Sequence, residues 1–178
     1  MKQAPGVRRV MSARDLSRVL LRLWATTAVA SATACLLASH LIWNWTPSLP
    51  LGLYWLSIGS APRLGALVAF PVPPAVRKLV LERRYLPRGA LLVKHVVATA
   101  GDLVCADEGV FAINGAPFGG IATRDSAGRP LPHFEGCGPV AEGFVHVASR
   151  DPRSFDSRTF GPVPEGAIRG RVTPLWTY

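Results

Sequence analysis

One lysine is hard to account for by folding alone. Lys94 is centred in Ala90-Leu91-Leu92-Val93-Lys94-His95-Val96-Val97-Ala98-Thr99, an apolar run that reads as a buried strand. Desolvation disfavours an ammonium and lowers its pKa from about 10.4. The neutral amine that results is a competent general base and can activate a serine. From periodicity alone, a lysine snorkelling to water from an edge strand is the plainer reading. A hydroxyl partner is available in Thr46-Pro47-Ser48-Leu49-Pro50-Leu51-Gly52, although a serine between prolines is by itself only a turn residue. A third polar segment is Ser154-Phe155-Asp156-Ser157-Arg158-Thr159-Phe160-Gly161-Pro162, where Asp156 and Arg158 can pair and fix a turn. His95 invites a Ser-His-Asp reading, but neighbours on a strand point to opposite faces, so Lys94 and His95 cannot both face Ser48. The chain has no CxxC and its four histidines are scattered, so no metal site is expected, and no organic cofactor is implied.

Strands must position these residues. With 17 Gly and 16 Pro among 178 residues, the chain reads as turn-rich and mainly β. Strands are expected around Gly52–Ile58, over Gly65–Pro71, Ala90–Thr99, Gly143–Ala148 and Ala167–Leu175. Val110–Ile113 and Ala116–Phe118 flank Asn114-Gly115, the signature of a hairpin with a type I′ turn. Pro74–Leu86 has helical spacing, with Val76, Leu79 and Val80 on one face and Arg77, Lys78, Arg83 and Arg84 as a solvated basic face. Residues 122–132 read as a polar loop.

The net charge of +9 is unevenly distributed. Residues 1–22 hold six basic side chains and one acid, a net +5; the other 156 residues hold 14 basic and 10 acidic, a net +4. The body is therefore too weakly basic to argue for nucleic acid. From Leu23 to Pro62 there is no Asp, Glu, Lys or Arg, and Leu23–Trp43 also lacks Pro and Gly. Twenty-one such residues span roughly 30 Å as a helix, the thickness of a bilayer core. Trp24 at one end and Trp43 and Trp45 at the other resemble an aromatic belt, with His40 the weak spot. The basic flank puts the N-terminus in the cytoplasm. The expected organisation is a cytoplasmic tail over 1–22, a single transmembrane anchor over 23–43 in the bacterial inner membrane, and a periplasmic domain over 44–178. A cleavable signal peptide is the alternative, with Ala32-Thr33-Ala34 as a small-x-small site. Cys35 falls inside the span. In an oxidising compartment Cys105 and Cys137 are expected to pair.

The ordered set of motifs resembles the serine–lysine signal peptidase family, and more closely its conjugative-transfer branch, the TraF-type pilin-processing peptidases. The resemblance rests on an N-terminal anchor and Asn44-x-Thr46-x-Ser48-x-Pro50-x-Gly52-x-Tyr54. It continues through Tyr85-Leu86-Pro87, Leu92-Val93-Lys94-His95, Gly101-Asp102 and Cys105, then Asp156-Ser157-Arg158-x-Phe160-Gly161-Pro162-Val163 and Gly170-Arg171. It departs from the family at His95, where a basic residue is common, at Ala148-Ser149-Arg150 in place of Gly-Asp-Asn, and at Pro50, two rather than three residues after the serine. The resemblance implies a signal-peptidase-like antiparallel β body with one short helix, and 103–147 as a non-catalytic β insertion. It implies Ser48 as nucleophile, Lys94 as general base, and the Ser48 N–H with the Thr46 hydroxyl as the oxyanion hole. It implies that Ser154 hydrogen-bonds Lys94, and that Asp156 and Arg158 support the site. The implied partners are the lipid bilayer and a membrane-anchored pilin or preprotein substrate, whose own N-terminus can resolve the acyl-enzyme and so cyclise it. A general type I signal peptidase and a non-enzymatic envelope assembly module remain open as alternatives.

Overall fold

The computed structural model describes residues 12–178. Residues 1–11, half of the basic tail expected over 1–22, lie outside the described residues. The chain divides into a unit ending at Ser39 and a second unit, His40–Tyr178.

The first unit is one helix, α1 (Ala13–Ala38). Ser12 caps it by accepting from the Asp15 N–H at 3.2 Å. An 18-residue stretch reaches a mean hydropathy of 1.5, long and apolar enough to cross a membrane. Its threonine hydroxyls are satisfied within the helix: Thr26 and Thr27 donate to Leu23 O (2.9 and 3.0 Å) and Thr33 to Val29 O (2.9 Å). The expected span of 23–43 is shifted. The helix starts earlier, at the Ser12 cap, and ends at Ala38 because Leu41–Asn44 forms a strand, β1, with 52–55 as its partner. His40 is not in the helix: its Nδ1 lies 2.7 Å from Leu56 O and its ring stacks on Trp55.

The second unit holds two antiparallel sheets. The larger comprises β1, β2 (Gly52–Ile58), β3 (Leu67–Pro71), β4 (Leu91–Ala98), β9 (Phe144–Ala148), β10 (Val163–Pro164) and β11 (Gly170–Thr177), in the order β1-β2-β11-β3-β4-β9-β10. The smaller comprises β5 (Leu103–Asp107), β6 (Val110–Ile113), β7 (Ala116–Gly120) and β8 (Gly136–Pro139), in the order β7-β6-β5-β8. The expected strands are present, and Asn114 and Gly115 both have positive φ (51° and 79°), as a type I′ turn requires. The helix expected over Pro74–Leu86 is α2 (Pro74–Glu82), which turns Val76 and Val80 inward. The body has one helix more than expected, the single turn α3 (Ser157–Phe160).

Strand alternation divides the apolar residues between two cores. Val68, Phe70, Leu92 and Val96 meet Val80, Val145, Val147 and Val163 in one core. Ala69 and Val93 meet Ile42, Leu49, Tyr54, Leu56 and Val172 in the other. Fixed register keeps both intact, and two glycines pin it along β2–β11. Gly52 (φ +139°) has no room for a Cβ, which would lie 2.1 Å from Trp176 O, and at Gly170 (φ +153°) one would lie 2.1 Å from Ser57 O.

The small sheet closes on its own core of Val104, Ala106, Phe111 and Val140. Cys105 and Cys137 are directly opposed across β5 and β8 and form a disulfide. The expected insertion over 103–147 ends too late. Phe144–Ala148 is β9 of the large sheet, pairing His95 with Ala148 and Val96 with Val147, because Val145 and Val147 are wholly buried in the main core. The small sheet is also packed into the body. Asp125 of its long loop accepts from Arg83 Nη1 (3.2 Å), from the Tyr85 hydroxyl and from Arg129 Nε (2.7 Å).

Candidate active site

Seven residues, 45–51, join β1 to β2 and carry Ser48. Two of them, Pro47 and Pro50, have no N–H, so the loop cannot hold itself with backbone ladders. Asn44 takes that part at the end of β1, where it pairs with Gly52. Its Nδ2 donates to Thr46 O (3.0 Å), Leu49 O (3.3 Å) and Pro50 O (3.1 Å). Its Oδ1 accepts from the Thr46 N–H (3.2 Å) and the Thr46 hydroxyl (3.0 Å). Tyr54, buried in the core, donates its hydroxyl to Pro50 O at 2.7 Å. Leu49 anchors the loop in the second core.

Ser48 is half-buried at the top of this loop. Lys94 Nζ, arriving on β4, donates a hydrogen bond to Ser48 Oγ. Lys94 is only 1 % exposed. Burial pushes its amine down to about 8, with the Asp156 carboxylate pulling it up and the Arg158 guanidinium pushing it further down. His95 points elsewhere, its Nδ1 3.0 Å from Gly65 O, as strand alternation requires. A hydroxyl hydrogen-bonded to a desolvated amine is the arrangement in which serine becomes a nucleophile near neutral pH.

Thr46 stands beside Ser48, Oγ1 to Oγ 3.4 Å, with its proton given to Asn44. The contact expected between Ser154 and Lys94 is not formed. The Ser154 hydroxyl is buried without a hydrogen-bond partner, and the Lys94 amine donates to Ser48 instead. Asp156 and Arg158 are brought to the site as a buried pair. Asp156 caps α3 through the Arg158 N–H and accepts from the Ser149 N–H at 3.2 Å. Arg158 donates Nη2 to Ser149 O (3.1 Å) and Asp151 O (2.8 Å), and its Nη1 reaches Gly120 O in the small sheet (3.4 Å). Ser157, given no role from sequence, fastens this segment to β9 by accepting from the Val147 N–H at 2.9 Å. Asn44 and Tyr54 also had no assigned role. The usable signal was an Asx residue two places before Thr46, the spacing of an Asx turn. Among the described residues no three His, Cys, Asp or Glu side chains gather into a metal-binding group.

A family model described as signal peptidase, peptidase S26, matches residues 14–176. A plasmid transfer protein TraF from Escherichia coli is 34 % identical, over 92 % of this chain and all of its own length. A probable conjugal transfer protein TraF from Sinorhizobium fredii is 36 % identical over 85 % of this chain and 84 % of its own. A conjugal transfer protein TraF from Agrobacterium fabrum is 35 % identical over 76 % and 81 %. Among solved structures, a signal peptidase I from Enterococcus faecalis covers 66 % of this chain with all of its own, at 23 % identity and a TM-score of 0.39. The breadth of the family match and the full-length relatives place this chain in the signal peptidase family, peptidase S26.

Proposed function

We propose that this chain is a membrane-anchored serine endopeptidase that processes a conjugative pilin precursor, with Ser48 as nucleophile and Lys94 as general base. The observation that carries the chemistry is the hydrogen bond from a desolvated Lys94 amine to Ser48 Oγ. The substrate class is supported by the relatives whose names assign them to plasmid and conjugal transfer.

Neutral Lys94 takes the Ser48 proton as Oγ bonds to the scissile carbonyl carbon. The developing oxyanion accepts from the Ser48 N–H and from the Thr46 hydroxyl once its proton leaves Asn44. Collapse breaks the C–N bond, and the Lys94 ammonium returns a proton to the leaving amine. Water, or the substrate's own N-terminal amine, then attacks the ester with Lys94 again as base, freeing Ser48 with a hydrolysed or a cyclic product. Asp156 and Arg158 hold the segment that faces Lys94. Helix α1 crosses the inner membrane with the basic tail in the cytoplasm and the body in the periplasm.

The test is co-expression with a tagged pilin precursor. Wild type is expected to process it, and Ser48→Ala and Lys94→Ala to lose processing at least about 10³-fold while staying folded. Processing by either variant overturns the dyad. Wild-type cleavage of general preproteins but not of the pilin precursor overturns the substrate assignment.

A further inference from the structure

Resting on that reading of Ser48, we infer that Asn44 is the positioning residue of the nucleophile. The loop 45–51 has one backbone hydrogen bond within itself, Leu49 N–H to Thr46 O, long at 3.5 Å. A loop of two prolines with so little internal pairing has no intrinsic reason to hold one shape. The Asn44 carboxamide supplies the missing constraint from a buried position, 4 % exposed. Its two Nδ2 hydrogens serve three carbonyls, those of Thr46, Leu49 and Pro50, on both sides of Ser48. Its Oδ1 uses both acceptor sites on Thr46, the N–H and the hydroxyl. Every hydrogen-bonding capacity of the side chain is therefore spent on the segment that carries the nucleophile.

The direction of the Thr46 bond gives this a chemical consequence. With its proton donated to Asn44, Thr46 Oγ1 presents lone pairs, not a hydrogen, towards Ser48 Oγ 3.4 Å away. In the resting site Thr46 thus places no hydrogen on Ser48 Oγ, which is left to the Lys94 amine. It becomes a donor itself only when a stronger acceptor than the neutral amide oxygen, an oxyanion, appears beside it. Asn44 thereby fixes where Ser48 sits and keeps the Thr46 proton in reserve until negative charge develops. A displacement of about 1 Å at a nucleophile costs about 10²-fold in rate, so the effect belongs on kcat.

The experiment measures kcat and KM of the full chain in detergent on the precursor, well below the thermal transition. It compares Asn44→Ala, Thr46→Val and the double variant, with Ser48→Ala as control. Asn44→Ala is expected to lower kcat about 30- to 100-fold with KM changed less than about threefold. The double variant is expected to fall no more than about threefold below the slower single one, because Asn44 acts partly through Thr46. A kcat within about threefold of wild type, a loss that follows only the unfolded fraction, or fully multiplicative effects would each overturn the inference. Should Asn44→Ala not fold, Asn44→Asp, equal in size but without the Nδ2 donors, takes its place. A tenfold or greater loss of kcat is then expected, and wild-type kcat overturns the inference. An inactive wild type, or an active Ser48→Ala, would instead overturn the underlying assignment of Ser48.

Discussion

Arg158 grips Asp156 with two nitrogens, Nε to Oδ1 at 2.9 Å and Nη2 to Oδ2 at 2.8 Å, and both side chains are almost wholly out of water, 2 % and 0 % exposed. The same guanidinium lies over the Phe118 ring and bonds Gly120 O, so the pair also fastens the small sheet to α3, and both its charges act on Lys94. Arg158→Ala would strand a buried carboxylate. It is expected to lower the unfolding free energy by about 3–5 kcal/mol, whereas the charge-free Asp156→Asn/Arg158→Met is expected to lose less. Urea unfolding of the full chain in micelles orders the two. A double variant less stable than Arg158→Ala would contradict this account.

The Lys94 amine, near 8 rather than 10.5, sets the pH dependence of the proposed chemistry. Only the neutral amine accepts the Ser48 proton. The acylation rate is therefore expected to rise about tenfold per pH unit below about 8 and to level off above it. A profile measured from pH 6 to 10 checks this, and a flat profile would count against Lys94 as the base.

Burial of that same amine carries a cost in stability. Its pKa is about 8 folded and 10.5 in the reference state, so between these values the unfolded chain binds the extra proton. The Lys94 contribution to stability is thus fully present above about 10.5 and lost as the pH falls through 8, a swing of about 3 kcal/mol. Lys94→Met, similar in volume and uncharged, is expected to be inactive yet more stable than wild type at pH 7. That advantage shrinks between pH 8 and 10.5. Thermal melts at pH 7 and 10 test both the sign and the window.

The residues of the site were more legible than the constraints on them. Lys94 stood out because an ammonium in an apolar strand is energetically conspicuous, and the strands around it announced themselves by β-branched runs and by Asn114-Gly115. β1 was hidden because Leu41-Ile42-Trp43-Asn44 continues an uncharged stretch, and only its pairing with 52–55 takes it out of the helix. β9 was recognised as a strand, but its sheet was not, because register with His95 and Val96 is a non-local property. Asn44 was visible in the spacing while its role was not, since three of its bonds go to carbonyls that any residue would offer. The Ser154–Lys94 contact came from resemblance alone, and here the Ser154 hydroxyl has no partner.

The place of β11 in the sheet has a consequence for the order in which the enzyme can be made. It follows every other strand in the chain, yet it lies between β2 and β3, joining the hairpin that carries Ser48 to the pair that carries Lys94. Until residues 170–177 are in place, the two halves of the sheet have no strand between them, and the proposed nucleophile and base are carried on separate halves. The proposed dyad is therefore completed only when a strand distant in sequence from both of its residues has entered the middle of the sheet.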